Sequence, residues 1–202
     1  MPPDPEIFAL AQQVGERLRR QGRSLAVAES CTGGLLGGAL TDVPGSSAYF
    51  LGGVISYADR VKVEQLQVPE GTLHRHGAVS EETAAAMASG VRRLLRADIG
   101  VSITGVSGPD AEGTKPVGLT FIGIAAPTLD ISNARMALKR RSRGPTGPPA
   151  SGGGESIKPS SRGGGESVLT HRFQWTGDRW DNRRRSVIAA LELLVQTLGA
   201  WH

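Results

Sequence analysis

The positions of apolar residues predict that helices and strands alternate along this chain. We expect amphipathic helices where apolar residues recur three or four positions apart, and buried strands where they form short continuous runs. The segments with helical spacing are residues 5–18, the residues that follow Gly34, and residues 60–66, 80–95 and 179–198. The short apolar runs are Ser24–Glu29, Leu51–Tyr57, Ile99–Thr104, Val117–Ala125 and Val168–Trp175. This alternation predicts a single α/β domain, built as three layers (α/β/α) around a largely parallel mixed sheet.

One segment interrupts the pattern. Residues 132–167 are rich in Gly, Pro and Ser, contain no Phe, Tyr or Trp, and carry the pentapeptide GGGES twice. A segment with so few apolar residues cannot bury enough surface to offset the entropy lost on ordering. We therefore expect a disordered insertion at 132–167, within one domain that spans residues 1–202.

The positive charge of the chain is concentrated in the same region. The whole chain carries a net charge of +4. Residues 131–172 hold eight Lys or Arg side chains against two Glu, which is +6 and leaves −2 for the rest. The globular part is therefore slightly acidic, and we expect no specific nucleic-acid partner. An insertion that acts as a nucleic-acid arm is the weaker alternative, because it lacks the aromatic residues that stack on bases.

Cysteine content and hydropathy indicate the compartment. The chain has one cysteine, Cys31, which excludes an internal disulfide, and no Cys/His cluster of the kind that binds structural zinc. No apolar run reaches the roughly 18 residues that a membrane span needs. The first residues, MPPDPEIFALAQQ, lack the pattern of a secretory signal. We expect a cytoplasmic protein without a membrane partner.

Small polar residues cluster in loops at the ends of predicted strands, where open α/β sheets bind their ligands. The loops are residues 29–34 (ESCTGG), 44–47 (PGSS), 57–62 (YADRVK), 104–118 and 175–179. Each has an equally simple structural explanation. The first can be a capped helix start with Cys31 as a packing residue, and Ser47, Tyr57 and Lys62 can be a turn serine, an edge tyrosine and a solvated lysine. Composition alone does not decide between the two explanations of the first loop, and for Ser47, Tyr57 and Lys62 it favours the structural explanation.

Six motifs, taken in their order along the chain, resemble those of a known family. They are AESCTGG (28–34), LTDVPGSSAYFLGGVISYADRVK (40–62), HGAVSEETAAAMA (76–88), SITGVSGPD (102–110), KPVG (115–118) and GDR (177–179). Together they closely resemble the C-terminal domain of the competence/damage-inducible CinA family, which includes stand-alone nicotinamide-nucleotide amidohydrolases. The resemblance covers about residues 5–126 and 168–198.

The resemblance implies a serine amidohydrolase that uses no metal and no cofactor. Its reaction converts nicotinamide mononucleotide and water into nicotinic acid mononucleotide and ammonia. On matching positions, Ser47 is expected to be the nucleophile, Lys62 the base and Tyr57 the hydroxyl between them. The residues expected to bind substrate are Glu29, Ser30, Thr32, Gly33, Thr104, Gly105 and Arg179. Arg179 is the expected ligand of the phosphate, and relatives imply a homodimer.

A non-catalytic protein is the alternative that these residues leave open. It would be CinA-like and would bind pyridine nucleotides or partners in DNA uptake and repair. The presence of Ser47, Tyr57 and Lys62 favours the enzyme, because a protein without catalysis has no physical need for that trio. The glycine-rich loop also departs from the family pattern, since it carries Asp110-Ala111-Glu112 where relatives usually have more glycine, and it is about one residue shorter.

Overall fold

The computed structural model describes residues 3–127, 155–159 and 165–199. The helices are α1 (Pro5–Gln21), α2 (Leu35–Thr41), α3 (Asp59–Leu66), α4 (Glu70–His76), α5 (Glu81–Leu94) and α6 (Arg179–Gly199), with a short 3₁₀ turn at Ser46–Ala48. The strands are β1 (Leu25–Glu29), β2 (Phe50–Ile55), β3 (Ile99–Gly105), β4 (Leu119–Pro127), β5 (Glu155–Pro159) and β6 (Glu166–Gln174).

The strands form one mixed sheet in the order β2-β1-β3-β4-β6-β5. The first three strands are parallel to one another, with Leu25 of β1 opposite Phe50 of β2 and Ile99 of β3. The remaining pairs are antiparallel. The predicted α/β domain with a mixed sheet is therefore confirmed, and its antiparallel part is larger than the sequence pattern indicates.

The connection after β3 explains the change of strand direction. Residues 106–118 join β3 to β4 without a helix, and parallel neighbours need a longer crossover that usually contains one. The connection instead folds back as an extended hairpin, in which the Val106 N–H donates to the Leu119 carbonyl at 2.8 Å and the Gly118 N–H donates to the Val106 carbonyl at 2.6 Å. β4 therefore returns antiparallel to β3.

Helices cover both faces of the sheet, as the three-layer prediction requires. One face packs α1, α2 and α6 over a core that includes Val27, Ile103 and Leu191. The other face carries α5, with α3 and α4 beside it, over a smaller core around Met87. Within the described ranges, no helix is long and apolar enough to cross a membrane.

The first and last helices lie side by side and are joined at both ends. Near the start of α1, the Asp4 carboxylate accepts from Arg184 at 2.6 Å. Near its end, the Gln21 side-chain amide donates to the Leu198 carbonyl at 2.8 Å. Because residue 4 meets residue 184 and residue 21 meets residue 198, α1 and α6 run in the same direction.

Strand β2 forms an edge of the sheet and exposes apolar side chains. Leu51 and Ile55 are 48% and 56% exposed. The homodimer expected from the family resemblance stays a prediction.

Two elements differ from the sequence prediction. Most of the expected insertion at 132–167 lies outside the described residues. Within it, however, Glu155–Pro159 form β5 and pair with β6, which begins inside the same segment at Glu166, so the expectation of disorder does not extend to these residues. Glycine-rich stretches lie on both sides of this ESIKP sequence, so the composition of the whole region does not indicate a strand. The short helix α4 was not expected, because EGTLHRH shows no apolar period.

Helix α3, which carries Lys62, lies close to α5 because residue 90 has no side chain. A Cβ on Gly90 would lie 2.1 Å from the backbone carbonyl oxygen of Leu66.

We expect Gly90→Ala to lower the free energy of unfolding by about 1–3 kcal/mol, the usual cost of overpacking. Gly38→Ala is the matched control, because a Cβ on this exposed residue of α2 meets nothing within 4 Å. It should raise stability by up to about 1 kcal/mol. Urea unfolding measures both, and equal effects would contradict the role of Gly90.

Candidate active site

A pocket of about 250 Å³ opens at the carboxyl ends of the three parallel strands. β1 leads into it through Ser30, β2 through Tyr57 and β3 through Gly105. The start of α3 contributes Lys62 and the start of α6 contributes Arg179. The pocket therefore lies at the edge of the sheet where open α/β folds bind ligands.

Lys62 is buried at this pocket and is only 1% exposed. Its ammonium donates to the Tyr57 carbonyl oxygen at 3.1 Å and to Asp59 Oδ1 at 3.2 Å. Both partners lie within the five residues before it, so the turn into α3 and its first residue fix the amine. The stem of the lysine is thereby held with its nitrogen toward the pocket, instead of reaching into solvent.

Ser30 lies at the end of the central strand of the parallel part. Its N–H donates to the Ile103 carbonyl at 3.0 Å, and the Gly33 N–H donates to the Ser30 carbonyl at 3.1 Å, so strand and turn fix the backbone on both sides. The residue is 8% exposed. A serine on fixed backbone and a buried lysine thus line the same pocket, and a lysine amine is one of the groups that can activate a serine hydroxyl.

Ser47 does not belong to this pocket, and its assignment as the nucleophile beside Lys62 is contradicted by the fold. It lies in the 3₁₀ turn before β2, where the Leu25 N–H of β1 donates to the Tyr49 carbonyl at 2.8 Å. This is the amino-terminal edge of the parallel strands, whereas Tyr57 follows their carboxyl ends. Six residues of β2 separate the two edges by about 20 Å. The exposed Ser47 hydroxyl cannot reach Lys62 in the same chain.

Glu29 was expected to bind substrate, but it also lies outside the pocket. Its carboxylate accepts from the N–H groups of Gly34 at 3.1 Å, Leu36 at 3.1 Å and Gly37 at 2.8 Å. These are donors at the start of α2, which have no partner within the helix. Glu29 therefore caps α2 and fixes the turn that carries Ser30.

We expect Glu29→Gln to destabilise the fold. The amide replaces one acceptor oxygen with a donor, which leaves at least one buried N–H of α2 without a partner and removes the negative charge at the helix start. The free energy of unfolding should fall by about 1–3 kcal/mol, measured by urea unfolding. The exposed Glu64→Gln change is the control and should stay within about 0.5 kcal/mol of the parent. An equally small effect at Glu29 would contradict the capping role.

Three further residues that were expected to bind substrate lie outside the pocket. Thr104 is fully buried, and its hydroxyl donates to the Ala78 carbonyl at 2.8 Å, which fixes a wall residue. Thr32 is also fully buried, with a hydroxyl that has no hydrogen-bond partner among the described residues. Gly33 has φ +62 and is exposed. None of the three lines the pocket.

The start of α6 connects the pocket to the turn after β1. Arg179 lines the pocket, and its guanidinium donates to the Gly108 carbonyl. One helical turn later, Arg183 donates to the Thr32 carbonyl at 2.8 Å. No pattern in the sequence indicates the role of Arg183, because its partner is 151 residues away.

Cys31 lines the pocket but is poorly suited to be the nucleophile. Burial raises the pKa of its thiol to about 11. The thiolate is the reactive form of cysteine, so this residue stays protonated at neutral pH. The interpretation of Cys31 as a packing residue agrees with its place in the core.

Two residues of the pocket, Ala78 and Val79, lie in none of the loops that the sequence pattern indicated. The predicted loops 57–62 and 104–118 contribute six pocket residues that had no assigned role: Asp59, Val106, Ser107, Gly108, Asp110 and Glu112. Within the described ranges, no group of three His, Cys, Asp or Glu side chains could hold a metal ion.

Comparisons with known proteins agree on one family. The model of the CinA C-terminal domain matches residues 7–144. A CinA-like protein of Microcystis aeruginosa is 57% identical over 130 residues, which is 63% of this chain and 31% of that protein. Another from a Synechococcus species is 58% identical over 116 residues, or 56% of this chain and 27% of that protein. The chain thus spans about a third of the length of the curated relatives it matches.

Solved structures give the same answer over nearly the whole chain. The crystal structure of a competence/damage-inducible protein from Agrobacterium tumefaciens is 31% identical, with a TM-score of 0.75, and covers 98% of this chain and 99% of that one. A CinA superfamily protein from Klebsiella pneumoniae is 28% identical, also with a TM-score of 0.75, and covers 96% and 99%.

Proposed function

Because this chain belongs to the CinA C-terminal domain family, we propose that it is a serine amidohydrolase that converts nicotinamide mononucleotide into nicotinic acid mononucleotide and ammonia. The observation that carries the proposal is that the Ser30 hydroxyl and the buried Lys62 amine line one pocket. Ser30 takes the role of nucleophile that the sequence assigned to Ser47. The family resemblance supplies the carboxamide nucleotide as substrate.

The first half of the reaction forms an ester on Ser30. The neutral amine of Lys62 removes the proton of the hydroxyl, directly or through the Tyr57 hydroxyl, and the oxygen attacks the carboxamide carbon. Lys62 then returns the proton to the departing nitrogen, so that the C–N bond breaks and ammonia leaves. The resulting acyl-enzyme joins the nicotinoyl carbonyl to Ser30.

The second half releases the product. Water attacks the ester with Lys62 again as proton acceptor, and the Ser30 oxygen leaves with that proton. The product is nicotinic acid mononucleotide, and the enzyme returns to its starting state. The oxyanion that forms in each half needs hydrogen-bond donors, which are commonly backbone N–H groups close to the nucleophile.

The remaining pocket residues bind and orient the nucleotide. Arg179 supplies a guanidinium at the pocket, and its geometry suits two hydrogen bonds to a phosphate. Tyr57 is 63% exposed, so its ring stands at the rim, while its carbonyl fixes Lys62. Asp59 accepts the second hydrogen bond of Lys62 and so holds its nitrogen at the pocket.

The direct experiment is to incubate the purified protein with nicotinamide mononucleotide and to measure ammonia together with nicotinic acid mononucleotide. We expect equal amounts of the two products. A folded protein that releases neither product would contradict the proposed activity, and ammonia release that persists in Ser30→Ala would contradict the proposed mechanism.

A further inference from the structure

The loop between β3 and β4 presents two carboxylates to the pocket. Asp110 and Glu112 both line it, and both are exposed. Backbone hydrogen bonds hold the loop in shape, since the Glu112 N–H donates to the Lys115 carbonyl at 3.1 Å and the Lys115 N–H donates back at 2.9 Å. Gln174 of β6 fixes the returning arm through the Val117 carbonyl at 2.7 Å. The two acids are therefore carried by an ordered hairpin.

Some charged side chains of the pocket have an ion-pair partner within the described residues, and others have none. Lys62 pairs with Asp59 at 3.2 Å. Asp110 and Glu112 form no ion pair within the described part of the chain, and Arg179 is bound there only to a carbonyl oxygen. The charged groups without an ion-pair partner there are thus two carboxylates and one guanidinium. Such a set suits a ligand that carries a positive charge at one place and an anion at another.

The proposed nucleophile lies in the same pocket as these acids. Ser30 lines the pocket, where the residue is 8% exposed. The reacting group of the ligand therefore belongs at Ser30, and the charge next to that group comes under the influence of the acidic hairpin.

We infer that Asp110 and Glu112 are specificity residues that select a cationic ring next to the reacting carboxamide. This inference rests on the proposed function. The pyridinium ring of nicotinamide mononucleotide carries one positive charge, which two nearby carboxylates attract. Hydrolysis converts the neutral carboxamide into a carboxylate, which the same two residues repel. The hairpin thus favours the substrate over its product by charge.

The test compares two substrates that differ in ring charge. Oxidised nicotinamide mononucleotide has a cationic ring, and the reduced form carries the same carboxamide on an uncharged ring. Their kcat/KM values are measured for the parent, for the double variant Asp110→Asn/Glu112→Gln and for the control variant Asp42→Asn/Glu64→Gln. The control removes two exposed carboxylates that do not line the pocket.

We expect the oxidised-to-reduced ratio of kcat/KM to fall about five-fold in the Asp110/Glu112 variant, a size typical of exposed ion pairs. The ratio should stay at the parent value in the control. Inhibition by nicotinic acid mononucleotide should become stronger in the Asp110/Glu112 variant, because repulsion of the product is lost. An unchanged ratio together with unchanged product inhibition would overturn the inference.

If the proposed function is wrong, the same experiment gives a different result. In that case the parent releases ammonia from neither nucleotide. The same three proteins are then titrated calorimetrically with the oxidised and the reduced nucleotide. Selection by charge is supported if the Asp110/Glu112 variant binds the oxidised nucleotide more weakly than the parent does. Its affinity for the reduced nucleotide, and both affinities of the control variant, should then equal those of the parent. Equal affinities in all three proteins contradict it.

Discussion

Replacement of Ser30 by alanine should abolish ammonia release from nicotinamide mononucleotide. The substitution removes one oxygen from a residue whose backbone is fixed on both sides, so the fold should be unchanged. Removal of the nucleophile in a serine hydrolase costs about 10⁶-fold in kcat. We expect a loss of at least about 10⁴-fold here, because direct attack of water retains part of the activity. Initial rates of ammonia release measure the loss, and thermal unfolding checks that the variant is folded.

Ser47→Ala is the matched control for this experiment. It makes the same chemical change at an exposed serine at the opposite edge of the sheet. Its activity should remain within about two-fold of the parent, as for most surface substitutions. If Ser47→Ala is inactive and Ser30→Ala is active, the nucleophile is Ser47, and a second chain must complete the site.

Loss of the Lys62 amine should have the second largest effect. Lys62→Met keeps the length of the buried stem and removes the proton acceptor, so kcat should fall by about 10³-fold, within the range of general base catalysis. Lys62→Arg keeps the positive charge but should be similarly inactive, because arginine does not deprotonate in proteins. Initial rates across substrate concentrations separate this loss in kcat from a change in KM.

The neighbouring Arg60→Met variant provides the comparison. Arg60 is an exposed cation on the same helix and does not line the pocket. Its loss should leave kcat close to that of the parent. A Lys62→Arg protein with near-parent turnover would show that another group takes the proton from Ser30.

The residues that face the pocket were only partly predictable from the sequence, because strand direction had to be considered as well as strand position. Ser47 lies three residues before β2 and Tyr57 two residues after it, so the two lie at opposite ends of the strand. In parallel strands with ligands at the carboxyl ends, only residues that follow a strand can reach the site. Ser30 follows β1 and Ser47 precedes β2, so this rule would have favoured Ser30.

The direction in which side chains point at strand ends could not be predicted from the sequence. Glu29 and Ser30 are neighbours in the chain, yet the carboxylate caps α2 and the hydroxyl faces the pocket. Successive side chains of a strand point to opposite faces, but the turn after the strand ends this alternation. The strands themselves were predicted well, because Ile99–Gly105 and Leu119–Pro127 consist almost wholly of buried residues and therefore read as continuous apolar runs.

The parallel arrangement of α1 and α6 has a consequence for synthesis of the protein on the ribosome. Within this domain α1 precedes every other element and α6 follows them all, yet both pack into the same core. The apolar side chains of α1 in this core, Val14 and Leu18 among them, remain uncovered by α6 until about 180 further residues have been made. At 5–20 residues per second this takes roughly 10–40 seconds. During that interval the nascent chain presents an amphipathic helix that a ribosome-associated chaperone can bind.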